Sequence, residues 1–130
     1  MATTADAVII GGGVIGTSIL YNLALQGLRR VVLLEKDVLA SGSTGRSQAI
    51  LRMHYSNEVT TRLAWESLKL FKEFNQLTGV SSGYKQTGYL VIVNDEDELA
   101  LKTNIYMQKK LGVNTGIISP TEVKELAPMI

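Results

Sequence analysis

The chain has 130 residues, of which 13 are Lys or Arg and 12 are Asp or Glu, so its formal net charge is +1. A charge so close to zero excludes a general attraction to nucleic acids or anionic membranes, and we expect no nucleic-acid partner. The sequence contains no cysteine, which excludes disulfides, a thiolate metal site and a cysteine nucleophile, so we expect no metal site and a cytoplasmic location.

The N-terminal part of the chain predicts a strand, a helix and a second strand. Ala7–Ile10 is a short apolar run that glycines follow at once, which is typical of a strand buried on both faces of a parallel sheet. Apolar residues recur at helical spacing from Val14 to Gln26, and Gly27 stands where a left-handed cap is expected. A second buried strand at Val31–Lys36 completes a βαβ unit. No apolar segment reaches about 18 residues, so we expect no membrane span.

A long amphipathic helix is predicted after the second strand and the loop that follows it. Ser56 and Asn57 are candidate N-caps, and the helix should run to about Thr78 and end at Gly79. Its polar face carries two pairs of oppositely charged residues, each spaced four residues apart, and we expect each pair to form an ion pair. These pairs are Arg62 with Glu66 and Lys69 with Glu73.

The pattern changes near residue 84, and we predict two domains, 1–83 and 84–130. Tyr84–Val93 is rich in Tyr, Val and Ile, which is typical of a strand, and Gly88 indicates a bend or bulge within it. Three further elements are expected. The first is a helix that Asn94 and Asp95 cap and that ends near Leu111, with an ion pair between Glu98 and Lys102. The others are a short strand at Ile117 and Ile118 and a helical turn from Pro120 to Pro128.

The sequence GGGVIG directly follows the first strand and carries the G-x-G-x-x-G fingerprint. The first glycine permits a tight turn, the second lets a pyrophosphate approach the backbone, and the third lets the helix pack against the strand. The helix N-terminus then offers free N–H groups to the pyrophosphate. The predicted cofactor-binding residues of this turn are Gly11, Gly13, Val14, Ile15 and Gly16.

Glu35 ends the second strand, where a carboxylate accepts hydrogen bonds from the hydroxyl groups of an adenosine ribose. The same carboxylate repels a 2′-phosphate, so NADP is disfavoured while NAD and FAD both remain open. We include the neighbouring Lys36 in the predicted site. The alternative, in which the glycines only form a turn and Glu35 is a surface acid, is disfavoured because strand, spacing and acid all agree.

A Gly/Ser/Thr loop, Leu39–Ser47, then takes the place of the helix that would lead a plain NAD dehydrogenase to its third parallel strand. Its N–H and hydroxyl groups suit phosphate or ribityl oxygens. Together, the blocks VIIGGGVIG, VVLLEK, GSTGRSQAILRMHY and GYLVIV resemble the FAD-dependent amine oxidoreductases of the D-amino-acid oxidase superfamily. The resemblance is greatest to the branch that contains sarcosine oxidase of the beta-subunit type, dimethylglycine dehydrogenase and L-proline dehydrogenase.

The resemblance implies FAD as the cofactor and an α/β fold, in which a Rossmann-type FAD-binding βαβ unit precedes the start of an α+β substrate domain. It also implies that the chain is the N-terminal portion of a longer fold. Alone it would be inactive, and its partner would be the rest of the enzyme or a second subunit. The implied reaction is oxidation of a small secondary or N-methylated amino acid, such as sarcosine, dimethylglycine or proline, by hydride transfer to the flavin.

Residue by residue, the resemblance assigns Arg52 to the arginine that pairs with the substrate carboxylate, and a guanidinium suits this because it is permanently charged and binds bidentately. The alternative is a helix-surface or structural ion-pair arginine. Gly11, Gly13 and Gly16 match the FAD pyrophosphate loop, and Glu35 matches the ribose acid. The loop that crosses the flavin is matched by Gly42, Ser43, Thr44, Arg46 and Ser47.

Several positions depart from the pattern. Thr44, Gly45 and Ala49 stand where monomeric sarcosine oxidases carry histidines and an arginine, which leaves substrate and oxygen reactivity open. Arg46 replaces the flavin-linked histidine of the dimethylglycine dehydrogenase type, so no covalent flavin bond is expected there. We expect His54 and Tyr55 to be structural. Two alternatives stay open: an NAD-binding dehydrogenase module, and a non-catalytic FAD-binding fragment or subunit.

Overall fold

The computed structural model of the chain describes residues 4–129. Its elements are β1 (Ala7–Ile10), α1 (Val14–Leu25), β2 (Val31–Leu34), α2 (Glu58–Thr78), a 3-10 turn (Asp95–Asp97), α3 (Glu98–Lys110) and α4 (Pro120–Leu126). They belong to two compact units, the first ending at Ile50 and the second beginning at Leu51. This division leaves the domain boundary between residues 83 and 84 a prediction.

The first unit forms the predicted βαβ arrangement. β1 and β2 pair in parallel, with Ala7 opposite Val31 and Ile10 opposite Leu34. β2 ends two residues earlier than predicted, because its partner strand ends at Ile10, opposite Leu34, and leaves Glu35 and Lys36 without a residue to pair with. Gly27, which follows the C-terminus of α1, has a φ of 89°, so its predicted left-handed conformation is confirmed.

The prediction that both strands are buried on both faces is wrong for the described residues. In β1 only Ile9 is buried, while Val8 and Ile10 are 56% and 87% exposed. In β2, Val32 and Leu34 are also exposed. The reason is that burial on both faces requires a layer on each side of the sheet, and the first unit supplies α1 alone as a helical layer.

The second unit contains α2 and α3, which pack against each other. Both predicted ends of α2 are confirmed: the Asn57 side chain accepts the N–H of Thr60, and Gly79 adopts the left-handed conformation. Leu68 of α2 and Ile105 of α3 are buried in this unit.

The predicted ion pairs of α2, Arg62 with Glu66 and Lys69 with Glu73, are wrong. Arg62 instead contacts Glu58 at 2.8 Å, and Lys69 contacts Glu66 at 2.7 Å. Helical side chains lean towards the N-terminus of their helix, so each cation reaches the acid that precedes it rather than the acid that follows it. The order acid then base is also the more favourable one with respect to the helix dipole.

The remaining elements agree in part with the sequence predictions. A 3-10 turn capped by Asn94 leads into α3, whose predicted Glu98–Lys102 pair is confirmed. Ser119 caps α4, which ends before Pro128. The strands predicted at Tyr84–Val93 and at Ile117–Ile118 are wrong for the described residues. A strand requires a hydrogen-bonded neighbour, and within residues 4–129 the sheet consists of β1 and β2 only.

Candidate functional site

The glycine fingerprint forms the turn between β1 and α1. A Cβ atom on Gly16 would collide with the carbonyl oxygen of Gly11, so the helix can approach the turn this closely only because residue 16 is glycine. Gly11 itself has a φ of 104°, which L side chains rarely adopt. The turn therefore has the steric requirements that the sequence pattern predicts for its first and third glycines.

The N-terminus of α1 presents backbone donors to the cavity beside it. The N–H of Val14 donates to the Thr44 hydroxyl oxygen at 2.9 Å. Within residues 4–129, the N–H groups of Gly13, Ile15 and Gly16 are bonded to no acceptor. Three unsatisfied donors at a helix N-terminus, together with the partial positive charge of the helix, suit the oxygens of a phosphate group.

The Glu35 carboxylate lies directly behind the glycine turn. One of its oxygens accepts the N–H of Gly12 at 2.7 Å, and the other accepts the N–H of Asp37 at 3.0 Å. These bonds, that from Gly12 above all, lower the pKa of Glu35, so the side chain is ionised at neutral pH. Each carboxylate oxygen keeps a further lone pair, which suits a group that receives ribose hydroxyls.

Gly12 is a residue of this site that the sequence analysis missed. A Cβ atom there would lie 2.5 Å from the Leu39 side chain and 3.2 Å from that of Glu35. The close packing lets the Gly12 N–H reach the carboxylate. The signal was present in the sequence, because Gly12 is the middle one of three consecutive glycines, a position that the fingerprint leaves open to any residue.

The Gly/Ser/Thr loop folds back onto the glycine turn. The N–H of Ala40 donates to the Gly12 carbonyl at 3.0 Å, and the N–H of Gly45 donates to the Ala40 carbonyl at 2.9 Å. The bond from Ala40 to Gly12 and the bond from Val14 to Thr44 attach the loop to the glycine turn at two points, and the bond from Gly45 to Ala40 closes the loop on itself. The loop and the turn therefore form the walls of one site.

A cavity of about 530 Å³ lies between these walls. Ten of the twelve predicted cofactor-binding residues line it, while Lys36 and Arg46 do not. The ten are Gly11, Gly13, Val14, Ile15, Gly16, Glu35, Gly42, Ser43, Thr44 and Ser47. Ile9, Ile10 and Ile19 add an apolar lining that the sequence analysis did not assign to the site.

Arg52, the predicted carboxylate-binding residue, belongs to the second unit. Its Nη1 donates to the Tyr89 hydroxyl oxygen at 3.1 Å, and its guanidinium carbon lies 5.3 Å from the centre of the Tyr55 ring and 6.0 Å from that of Tyr89. The hydrogen bond to Tyr89 and, to a smaller extent, the nearby Tyr55 side chain raise the pKa of Arg52. Among the residues described, no carboxylate forms a salt bridge with Arg52, so the structural ion pair considered as an alternative is not formed there.

His54 and Tyr55 are held by a buried amide. Gln108 is only 2% exposed, and its Nε2 lies 3.5 Å both from His54 Nδ1 and from the Tyr55 carbonyl oxygen. The His54 ring centre lies 6.3 Å from that of Tyr89. These long contacts connect α3 to the segment around Arg52. Sequence reasoning missed Gln108 and Tyr89, because both partners lie far along the chain from the residues they contact.

No helix within residues 4–129 has the combination of length and apolar character that a membrane crossing demands.

Residues 6–130 match the protein family described as "DAO: FAD dependent oxidoreductase". One relative is the mitochondrial pyruvate dehydrogenase phosphatase regulatory subunit of Mus musculus, 38% identical over 97% of this chain. Another is the mitochondrial sarcosine dehydrogenase of Homo sapiens, 33% identical over 100% of this chain.

Among solved structures, the crystal structure of L-proline dehydrogenase from P.horikoshii superimposes on the chain with a TM-score of 0.85 and 37% sequence identity, over 98% of this chain. The chain spans 14% of the length of each of the two relatives and 34% of the solved chain. The likeness therefore covers nearly all of this chain and a minor part of each of those proteins.

Proposed function

Because the chain belongs to the DAO family of FAD-dependent oxidoreductases, we propose that it is part of an enzyme that oxidises a small secondary or N-methylated amino acid. Sarcosine, dimethylglycine and proline represent this substrate class. The observation that carries the proposal is Arg52, a permanent cation that two tyrosines hold and that no carboxylate neutralises within the described residues. The names of two similar proteins, a sarcosine dehydrogenase and an L-proline dehydrogenase, support the same class.

The residues of the first unit fit FAD. The unsatisfied N–H groups of Gly13, Ile15 and Gly16 would hold its pyrophosphate, and the ionised Glu35 would accept hydrogen bonds from its ribose. The loop from Gly42 to Ser47 would complete the cradle. When bound, the flavin supplies the redox chemistry by accepting a hydride equivalent from the carbon next to the amine nitrogen.

Arg52 supplies substrate binding in this proposal. A guanidinium offers two parallel N–H donors to a carboxylate and keeps its charge over the whole working pH range. Fixing the carboxylate restricts the orientation of the amino acid, and such positioning contributes a large part of many enzymatic rate enhancements. An amine without a carboxylate would leave Arg52 without this partner.

The proposal is tested with a visible absorption spectrum of the protein, purified together with any chain that accompanies it. We expect flavin bands, and we expect anaerobic addition of sarcosine or proline to bleach them. A protein that stays colourless after incubation with FAD would contradict the proposal and favour an NAD-binding dehydrogenase module, which would keep the same glycine turn and Glu35.

A non-catalytic FAD-binding subunit is a second candidate. It is favoured by one observation, the 38% identity to a protein named as a phosphatase regulatory subunit. Such a subunit would show flavin bands that no amine bleaches, even with its partner chain present. The cytoplasmic location is a separate prediction, which cell fractionation would test.

A further inference from the structure

The Tyr89 hydroxyl can donate a hydrogen bond in addition to the one that it accepts. A phenolic oxygen accepts through its lone pairs and donates one proton, and Tyr89 accepts from Arg52 Nη1 at 3.1 Å. Within residues 4–129, no acceptor is bonded to the Tyr89 hydroxyl proton. The side chain is 55% exposed, so a small molecule can reach it. Arg52 and Tyr89 therefore present N–H and O–H donors side by side, without an anion between them.

We propose that Tyr89 is a specificity-determining residue, whose hydroxyl binds the substrate carboxylate together with the guanidinium of Arg52. This inference rests on the proposed function and deepens it, because it assigns a second donor to the same carboxylate. Arg52 commits one Nη1 proton to Tyr89 and keeps its other donors for a bidentate contact. The hydroxyl proton of Tyr89 adds a further hydrogen bond to the same anion.

Tyr55 has a different part in this arrangement. Its ring centre lies closer to the Arg52 guanidinium carbon than that of Tyr89, 5.3 Å against 6.0 Å. A ring face stabilises a cation without an oxygen atom, so Tyr55 acts chiefly as a platform. Tyr89 alone forms a hydrogen bond within 3.5 Å to the Arg52 side chain among the described residues, which makes its hydroxyl the group to test.

The position of Tyr89 depends on the backbone before it. Gly88 has a φ of 83°, a conformation that side-chain-bearing residues rarely adopt. The chain changes direction there, and the bond from Tyr89 spans 37 residues of sequence to Arg52. The bend that the sequence analysis interpreted as a strand irregularity therefore lies directly before the residue that contacts the carboxylate-binding arginine.

The experiment compares Tyr89→Phe with the wild-type protein, each loaded with FAD and co-expressed with any chain that co-purifies. Phenylalanine keeps the ring and removes only the hydroxyl. With a dye as electron acceptor, we expect the KM for sarcosine or proline to rise about tenfold, which corresponds to about 1.4 kcal/mol, while kcat changes by less than about twofold. Dimethylamine and pyrrolidine, which lack the carboxylate, should show no such difference between the two proteins.

Tyr106→Phe is the matched control, because Tyr106 is an exposed tyrosine of the same unit whose ring also lies near a cation, Lys110. It should leave every constant unchanged. A double variant provides a second measurement: in an Arg52→Ala background, Tyr89→Phe should add little further loss, because the Tyr89 hydroxyl is hydrogen-bonded to Arg52 and is no longer held beside the anion once Arg52 is removed.

Three results would overturn the inference. The first is an unchanged KM in Tyr89→Phe, and the second is an equal rise for substrates with and without the carboxylate. The third is a loss of flavin bands or of helical circular dichroism, which would assign Tyr89 a structural role. If oxidation requires Arg52 but not Tyr89, only this inference fails. If the wild-type protein oxidises no amine, the proposed function fails, and this inference fails with it.

Discussion

Thr44 caps helix α1 from a distance of 30 residues, because its hydroxyl oxygen accepts the N–H of Val14 at 2.9 Å. The capping side chain comes from the Gly/Ser/Thr loop and not from the residue before the helix, Gly13, which has no side chain to offer. One hydrogen bond thus satisfies a donor at the end of the helix and fixes the loop against the proposed pyrophosphate site.

Replacing Thr44 by valine should therefore weaken both the fold and FAD binding. We expect a loss of about 1 kcal/mol in the free energy of unfolding, as for other helix caps, and a weaker affinity for FAD because the loop is released. Urea unfolding and a titration with FAD measure the two effects. Thr44→Ser keeps the hydroxyl and should retain most of both, and equal losses in the two variants would contradict the assignment.

Gly16→Ala should disrupt the glycine turn. The added Cβ atom would collide with the Gly11 carbonyl oxygen, a backbone atom that cannot move aside cheaply, so we expect a destabilisation of about 2 kcal/mol or more. Gly42→Ala is the control in the same unit, because its Cβ would meet no atom within 4 Å. Thermal unfolding without added FAD compares the two variants, and similar melting temperatures would show that the close contact is not restrictive.

The hydrogen bonds to Glu35 predict a pH dependence of stability. They lower its pKa from the usual 4.5, chiefly through the Gly12 N–H. Ionisation of Glu35 therefore stabilises the folded state relative to the unfolded state. This contribution is complete above the unfolded pKa and is lost as the pH falls through the lower, folded pKa. In Glu35→Gln, stability should fall less between neutral and acidic pH than in the wild-type protein.

Unfolding by urea at a series of pH values measures this difference. Glu73→Gln removes another exposed carboxylate, for which no hydrogen bond to a backbone N–H is found in the described part of the chain. Its pH dependence should follow that of the wild-type protein. If Glu35→Gln follows it as well, the hydrogen bonds to Glu35 do not stabilise the folded state.

The N-terminus of α2 provides a test of local capping. The sequence offered both Ser56 and Asn57, and the structure selects Asn57, whose side chain accepts the Thr60 N–H at 2.8 Å. Asn57→Ala should reduce the free energy of unfolding by about 1 kcal/mol. Ser56→Ala should have little effect, and the reverse order of the two variants in urea unfolding would contradict the assignment.

The elements that the sequence predicted correctly depend on neighbouring residues. β1, α1 and the ends of α2 follow from apolar periodicity, an N-cap and C-terminal glycines, all of which act within one helical turn. The glycine turn and Glu35 also belong together in one βαβ unit, so their spacing in the sequence is enough to predict that they share a site.

The sequence predictions that were wrong concern features that depend on distant or directional contacts. The segment Tyr84–Val93 has the composition of a strand but finds no pairing partner among residues 4–129, and composition cannot reveal this. The predicted ion pairs of α2 were wrong because residue spacing alone does not take into account that helical side chains lean towards the N-terminus of the helix. The contact between Arg52 and Tyr89 spans 37 residues, so no local pattern in the sequence indicated it.

We propose that Arg52 is the carboxylate-binding arginine of a flavin-dependent amine oxidase or dehydrogenase to which this chain contributes. The most direct measurement is the rate at which sarcosine or proline bleaches the flavin bands anaerobically in three proteins: the wild type, Arg52→Ala, and the control Arg62→Ala, whose arginine pairs with Glu58 on α2. We predict that bleaching is fast in the wild type and in Arg62→Ala, and that Arg52→Ala slows it by at least about a hundredfold at low substrate concentration, which is about 2.7 kcal/mol. Equal bleaching rates in all three proteins, or flavin bands that no amino acid bleaches in any of them, would contradict the claim.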